Sequence, residues 1–163
     1  MKTTLVTMVA LAASAPLAAA QQIPDRTTLE GILGGGGIFE DFETLDIPVG
    51  GQRTDGSGPG LVQPGADYKS PTLWWNGDTY FGLNTKTLAD SSGWRGLAIT
   101  IEYTTAVSAM GFDMQGYSGF PMAGVVSVYD TGGGLLGSAN VNGGFFGWQN
   151  AGGIGSVVVS ASD

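Results

Sequence analysis

Residues 97–104 read LAITIEYT, and the bulky side chains of Leu97, Ile99, Ile101 and Tyr103 alternate with Ala98, Thr100 and Glu102. Unbroken alternation is the period of a strand with one face in a core and the other in solvent, because successive strand side chains point to opposite faces. A surface helix would instead repeat its apolar positions at three and four residues. Residues 107–115 place Met110, Phe112 and Met114 on one face, and Met110, Met114 and Met122 are read as core filler. Residues 124–130 (GVVSVYD) and 135–141 (LLGSANV) flank the turn TGGG, which predicts a hairpin whose glycines are free to take positive φ. Asn142-Gly143 predicts another turn, 145–148 a short strand and 154–161 a final valine-rich one. Short strands separated by glycine turns predict an all-β fold, a β-sandwich of jelly-roll-like topology.

The rest of the chain fits around that frame. Residues 1–20 form a secretory leader: a basic Lys2, a nearly apolar stretch from Leu5 to Leu17, and Ala18-Ala19-Ala20 for a signal peptidase. Cleavage is expected after Ala20, leaving Gln21 first, and the apolar run is too short to span a membrane. Residues 21–37 are read as a Gly-rich lead-in, in which TTLEGIL (27–33) forms one short helical turn at most before the run Gly34 to Gly37 ends it. Those glycines are no phosphate loop, since no Lys-Ser/Thr follows and the next element is a strand. Residues 38–163 are one β-sandwich domain, with 51–70, rich in Gly and Pro, as a long irregular loop.

Composition excludes several chemistries. The 163 residues contain no cysteine and no histidine, so disulfides, imidazole ligands and histidine-based triads are absent from the repertoire. Fourteen acids stand against six bases, and removal of the leader takes only Lys2 from the bases. That balance argues against nucleic acid, which requires clustered Lys and Arg, and leaves cations and neutral polymers such as glycans as partners.

Several runs carry a resemblance. ITIEYTTAVSAMGFDMQGY, VVSVYDTGGGLLGS, GGFFGW and IGSVVVSASD, with Phe39 to Phe42 and TYFGLNT at 79–85, resemble the secreted β-sandwich domains of bacterial proteins that carry PEP-CTERM sorting tails. Those domains are similar to galactose-binding-like and carbohydrate-binding jelly rolls. The resemblance covers about half of the mature chain and speaks to fold more than to function. It departs from the pattern at its end: no sorting tail follows, and Ser160-Ala161-Ser162-Asp163 stops one strand short, so a fragment or a trimmed relative is expected.

Two constellations could carry function. IFEDFETLD (38–46) concentrates acids: in a strand Asp41 and Glu43 share a face about 6.6 Å apart, while Glu40 points the other way. Such a pair can converge on Ca²⁺, which takes about six to eight oxygens. The resemblance implies a structural calcium between an acidic first strand and an acid near the last, which selects Glu40, Asp41 or Glu43 with Asp163. A solvated edge strand whose charges discourage aggregation explains the same residues. A catalytic carboxylate pair, with Glu102 as partner, is a further alternative that nothing in the sequence brings together.

The aromatic residues point to binding. In TLWWNGDTY (72–80), adjacent tryptophans on a strand face opposite sides, so one of them fills the core while Trp75 can lie beside Asn76, Asp78 and Tyr80. A flat ring packs the apolar face of a sugar and neighbouring amides and carboxylates bond its hydroxyls. Trp94 beside Arg95 and Trp148 beside Gln149 form similar sets; core burial is the ordinary alternative for each. The expected protein is therefore a secreted, non-catalytic binding module for a glycan or matrix component, with a structural calcium as candidate cofactor. A structural or adhesive protein associating through sheet edges, and a small two-carboxylate glycan hydrolase, are the alternatives.

Overall fold

A computed structural model of the chain describes residues 19–38, 52–53, 61–70, 73–76, 87–90, 98–114 and 123–161. The fold is all-β and antiparallel. Its ten described strands are β1 (Gln21–Ile23), β2 (Gln52–Arg53), β3 (Leu61–Gln63), β4 (Ala66–Lys69), β5 (Leu73–Asn76), β6 (Thr87–Asp90), β7 (Ile99–Met114), β8 (Gly124–Tyr129), β9 (Leu135–Val141) and β10 (Gly144–Ala161). One helix, α1 (Arg26–Leu33), follows β1. The main sheet runs β3-β4-β7-β10-β8-β9, with β1 added beside β10; β2, β5 and β6 form a second, three-stranded sheet.

The long strands β7 and β10 replace what the sequence predicts as four short ones. Their mutual register shifts twice, between Gln149 and Ile154 and between Ile154 and Ser156, so residues 103–106 of β7 and 150–153 of β10 leave the regular ladder together. This is a corner. Val141 pairs with Gly124, which also pairs with Ala161, and only two residues separate Val141 from Gly144. Those links keep Gly144 within roughly 22 Å of Ala161. A straight strand would set the same residues about 56 Å apart. The sheet therefore folds over on itself, as sheets do where strands cross a corner through bulges. One layer holds β1 and the halves of β7 and β10 around Met110 and Trp148; the other holds β3, β4, the remaining halves, β8 and β9.

The core lies between these layers. Met110, Met114, Phe146 and Trp148 from the first meet Ile101, Val126, Val128, Val157 and Val159 from the second in one buried cluster. Phe146, Val126, Val128 and Val157 are wholly buried. The predicted alternation holds: Ile101 is buried and Glu102 exposed, while Met110 and Met114 enter the core as expected.

Two expectations change. Residues 21–37 are not a mere lead-in: Ile23 is buried in a strand of the main sheet, and the predicted single helical turn is an eight-residue helix. Asp25 starts it by accepting from the Thr28 amide at 2.7 Å, and Gly34 ends it in the left-handed region at φ 56°. Leu29 packs this helix on the outer face of the first layer with Ile23, Ala109 and Phe145. The Arg26–Asp113 ion pair adds to that seating. The long loop expected over 51–70 contains the β3–β4 hairpin instead, where Pro64-Gly65 turns the chain with Gly65 at φ 91°. The Gly-Pro content supplies the turn, and Ala66 and Tyr68 pack against the core.

Candidate functional site

The fold-over corner creates the candidate site. Glu102, Tyr103, Thr104 and Ala106 come from β7 where it leaves register, Gly155 and Ser156 from the end of the β10 irregularity, and Asp130, Thr131 and Gly133 from the β8–β9 turn. Together they line an open depression of about 410 Å³, which is within the range of small-ligand sites.

Each wall is held by local chemistry. Asp130 Oδ1 accepts from the amides of Gly132 and Gly134, both at 2.8 Å, and the Asp130 amide donates to the Gly134 carbonyl at 2.8 Å. Gly133 takes φ 81° within that turn, a conformation suited to glycine. The turn rests on Gly155, where an added β-carbon would lie 2.7 Å from the Asp130 carbonyl oxygen and 2.8 Å from Thr131 Cα. On the opposite wall, the Thr104 amide donates to the Gly65 carbonyl at 3.1 Å and fixes the β7 corner to the β3–β4 turn. Asn150 Nδ2 donates to the Gly153 carbonyl at 2.9 Å, closing the β10 corner.

Electrostatically the depression is acidic, with part of its charge compensated. Glu102 Oε2 lies 2.5 Å from Lys69 Nζ, which also reaches Asp67 Oδ2 at 3.3 Å. The Glu102 hydrogen bond raises the Lys69 ammonium above its ordinary range, with Asp67 acting in the same direction. Tyr103 is different: burial pushes its phenol well up, so the hydroxyl stays neutral and can donate or accept. The wall as a whole offers two carboxylates, three aliphatic hydroxyls, one phenol and glycine backbone.

The residues that the sequence singles out divide into two groups. Trp148 is placed in the core, 8% exposed, with its ring stacked on Phe146 at 6.2 Å and 15°. It cannot serve as the exposed sugar platform expected of it. The cause is its neighbour across the fold: Trp148 presses on Gly137, where a β-carbon would lie 2.6 Å from the ring. Its indole Nε1 has no hydrogen-bond partner.

Trp75 and Asn76 belong to β5, pairing in register with Leu88 and Thr87 of β6; their side chains lie outside the described residues. Asp78, Tyr80 and Trp94 lie outside them entirely, as do Glu40, Asp41, Glu43 and Asp163. Among the described residues no group of three acids could hold a metal ion. No described helix is long and apolar enough to cross a membrane.

Sequence reasoning does not find Thr104, Asp130, Thr131 or Ser156 as site residues. Their segments are joined by the corner, and the only local sign is an aspartate opening a glycine turn, a common turn device. Comparison of the chain with protein-family models, with curated proteins and with solved structures finds no match.

Proposed function

We propose that this protein is an exported, non-catalytic binding module for a neutral, polyhydroxylated ligand, a glycan or a matrix component. The observation that carries the reading is the composition of the corner depression: hydroxyls of Thr104, Thr131 and Ser156 beside carboxylates and glycine backbone. Groups of this kind donate to and accept from sugar hydroxyls without requiring a charged ligand. Both acids already have structural work. Glu102 is engaged by Lys69, and Asp130 caps its own turn. These engagements favour binding over hydrolysis, which needs a carboxyl pair free to act on the ligand.

Retention on a panel of soluble and insoluble neutral polysaccharides tests this. Thr131→Lys and Ser156→Lys should reduce retention at least tenfold while Arg26→Ala, at the helix, leaves it unchanged. A Trp75→Ala variant separates the corner from the TLWWNGDTY segment as the contact surface. If the unmodified protein binds no polysaccharide, the reading fails.

A structural calcium ion held by Glu40, Asp41 or Glu43 with Asp163 accompanies this proposal. Ligand binding to the folded form alone raises its stability. A thermal melt with excess chelator should therefore have a lower midpoint than one with added Ca²⁺; identical midpoints eliminate the ion.

A further inference from the structure

Four strands border the main sheet on its described edges, β1, β3, β9 and, past its pairing with β4, the half of β7 from Val107 to Met114, which carries the charged Asp113; they differ in how well they are guarded. β1 has three residues and is followed by Pro24; β3 has three residues and is followed by Pro64. Shortness and proline are the usual devices that prevent an edge from pairing with another chain. β9 has neither. It runs seven residues, Leu135–Val141, with no proline and no charged side chain, LLGSANV.

The inward side chains of β9 hold it firmly. Val141 is buried and Ala139 packs against the core, and five successive residues from Gly137 to Val141 pair in unbroken register with β8. Its other edge has no partner strand among the described residues. Leu135, at the start of the strand, is 61% exposed. The outward side chains of Ser138 and Asn140 are small and exposed, so they do not screen the backbone from an approaching strand.

We infer that β9 is a self-association edge: a second copy of this chain pairs its own β9 antiparallel to the first, making one continuous sheet across the two copies. The partner is a copy of this chain because a strand edge paired antiparallel about a two-fold axis is complementary to itself, and charge selects β9 as the place where two copies can meet. The whole chain carries a formal net charge of −8, so two copies repel over most of their surfaces. Along β9 no register of strand against strand opposes like charges, since the strand carries none. An antiparallel pair about a two-fold axis is closed, so the assembly stops at a dimer. This rests on the fold alone and is independent of the ligand reading above.

Light scattering coupled to size exclusion, run on the purified protein over a concentration series, tests it. The expected result is a mass rising from monomer to dimer, abolished by Ser138→Lys, whose exposed position admits a lysine without burying it. Val62→Lys, on the β3 edge where Val62 is 60% exposed, should leave the dimer intact. Circular dichroism confirms that both variants fold; Asn140→Lys replaces Ser138→Lys if that variant does not. A mass that stays monomeric at every concentration overturns the inference, as does a dimer lost in Val62→Lys and retained with lysine on β9.

Discussion

Gly137 and Gly155 mark where two parts of the fold meet too closely for a side chain. At Gly137 the atom that a β-carbon would strike is the rim of the Trp148 ring, and at Gly155 it is main chain of the β8–β9 turn. A ring can tilt by a small amount, whereas a hydrogen-bonded turn cannot retreat without losing its bonds. Gly137→Ala should thus cost about 1–3 kcal/mol, the usual range for overpacking. Gly155→Ala should cost more and also disturb the corner depression. Denaturant melts give both values. An unchanged midpoint for Gly137→Ala would contradict the placement of Trp148 over that strand. Truncating the core ring at Phe146 to alanine should cost about 3–5 kcal/mol, because Phe146 touches both Phe112 and Trp148, at centroid distances of 5.5 and 6.2 Å.

At the scale of elements, α1 is separable from the core that it covers. Its contacts run through Leu29 to Gly111, where an added β-carbon would lie 2.8 Å from Leu29 Cδ2. Hydrogen bonding from the Thr28 backbone holds the Asp25 carboxyl below its ordinary range. A depressed carboxylate contributes stability above its unfolded pKa and loses it as pH falls through the folded one. Asp25→Ala and Gly111→Val should each speed hydrogen exchange of the α1 amides and leave Val126 and Val157 slow. Equal acceleration in both regions would mean that the helix is integral to the global unit.

The elements also show what a sequence can carry. The alternation through Ile99, Ile101 and Tyr103 states the strand and its buried face because both are local properties. The cap at Asp25, three residues before Thr28, is a local signal too, and the reading of TTLEGIL as a single turn misses it. The fold-over is not visible. Residues 103–106 and 150–153 break the pattern separately, and only their pairing makes one corner. Trp148 misleads for the same reason: polar neighbours suggest exposure, while the residue that buries it is Gly137, across the fold. The corner site inherits this difficulty, since Glu102, Asp130 and Ser156 meet only after the sheet has doubled back.

For the whole molecule, the missing residue types set the pH response. Without histidine or cysteine, no side chain with an ordinary pKa titrates between about pH 6 and 8. Folding stability should be flat there. On the alkaline side two groups act in one direction. Tyr103 is raised chiefly by burial, and Lys69 chiefly by its hydrogen bond to Glu102. A group whose folded pKa exceeds its unfolded value contributes stability in full below the unfolded pKa and loses it as pH rises toward the folded one. For tyrosine and lysine the loss begins near pH 10. Lys69 is exposed and screened by solvent, so the more enclosed Tyr103 phenol dominates. Denaturant midpoints should therefore hold level through neutrality and fall from about pH 10 upward, and Tyr103→Phe should flatten most of that fall. Lys69→Met should leave most of it. The reverse ranking would place the alkaline sensitivity in the Lys69–Glu102 pair at the rim of the corner, and not in the Tyr103 phenol.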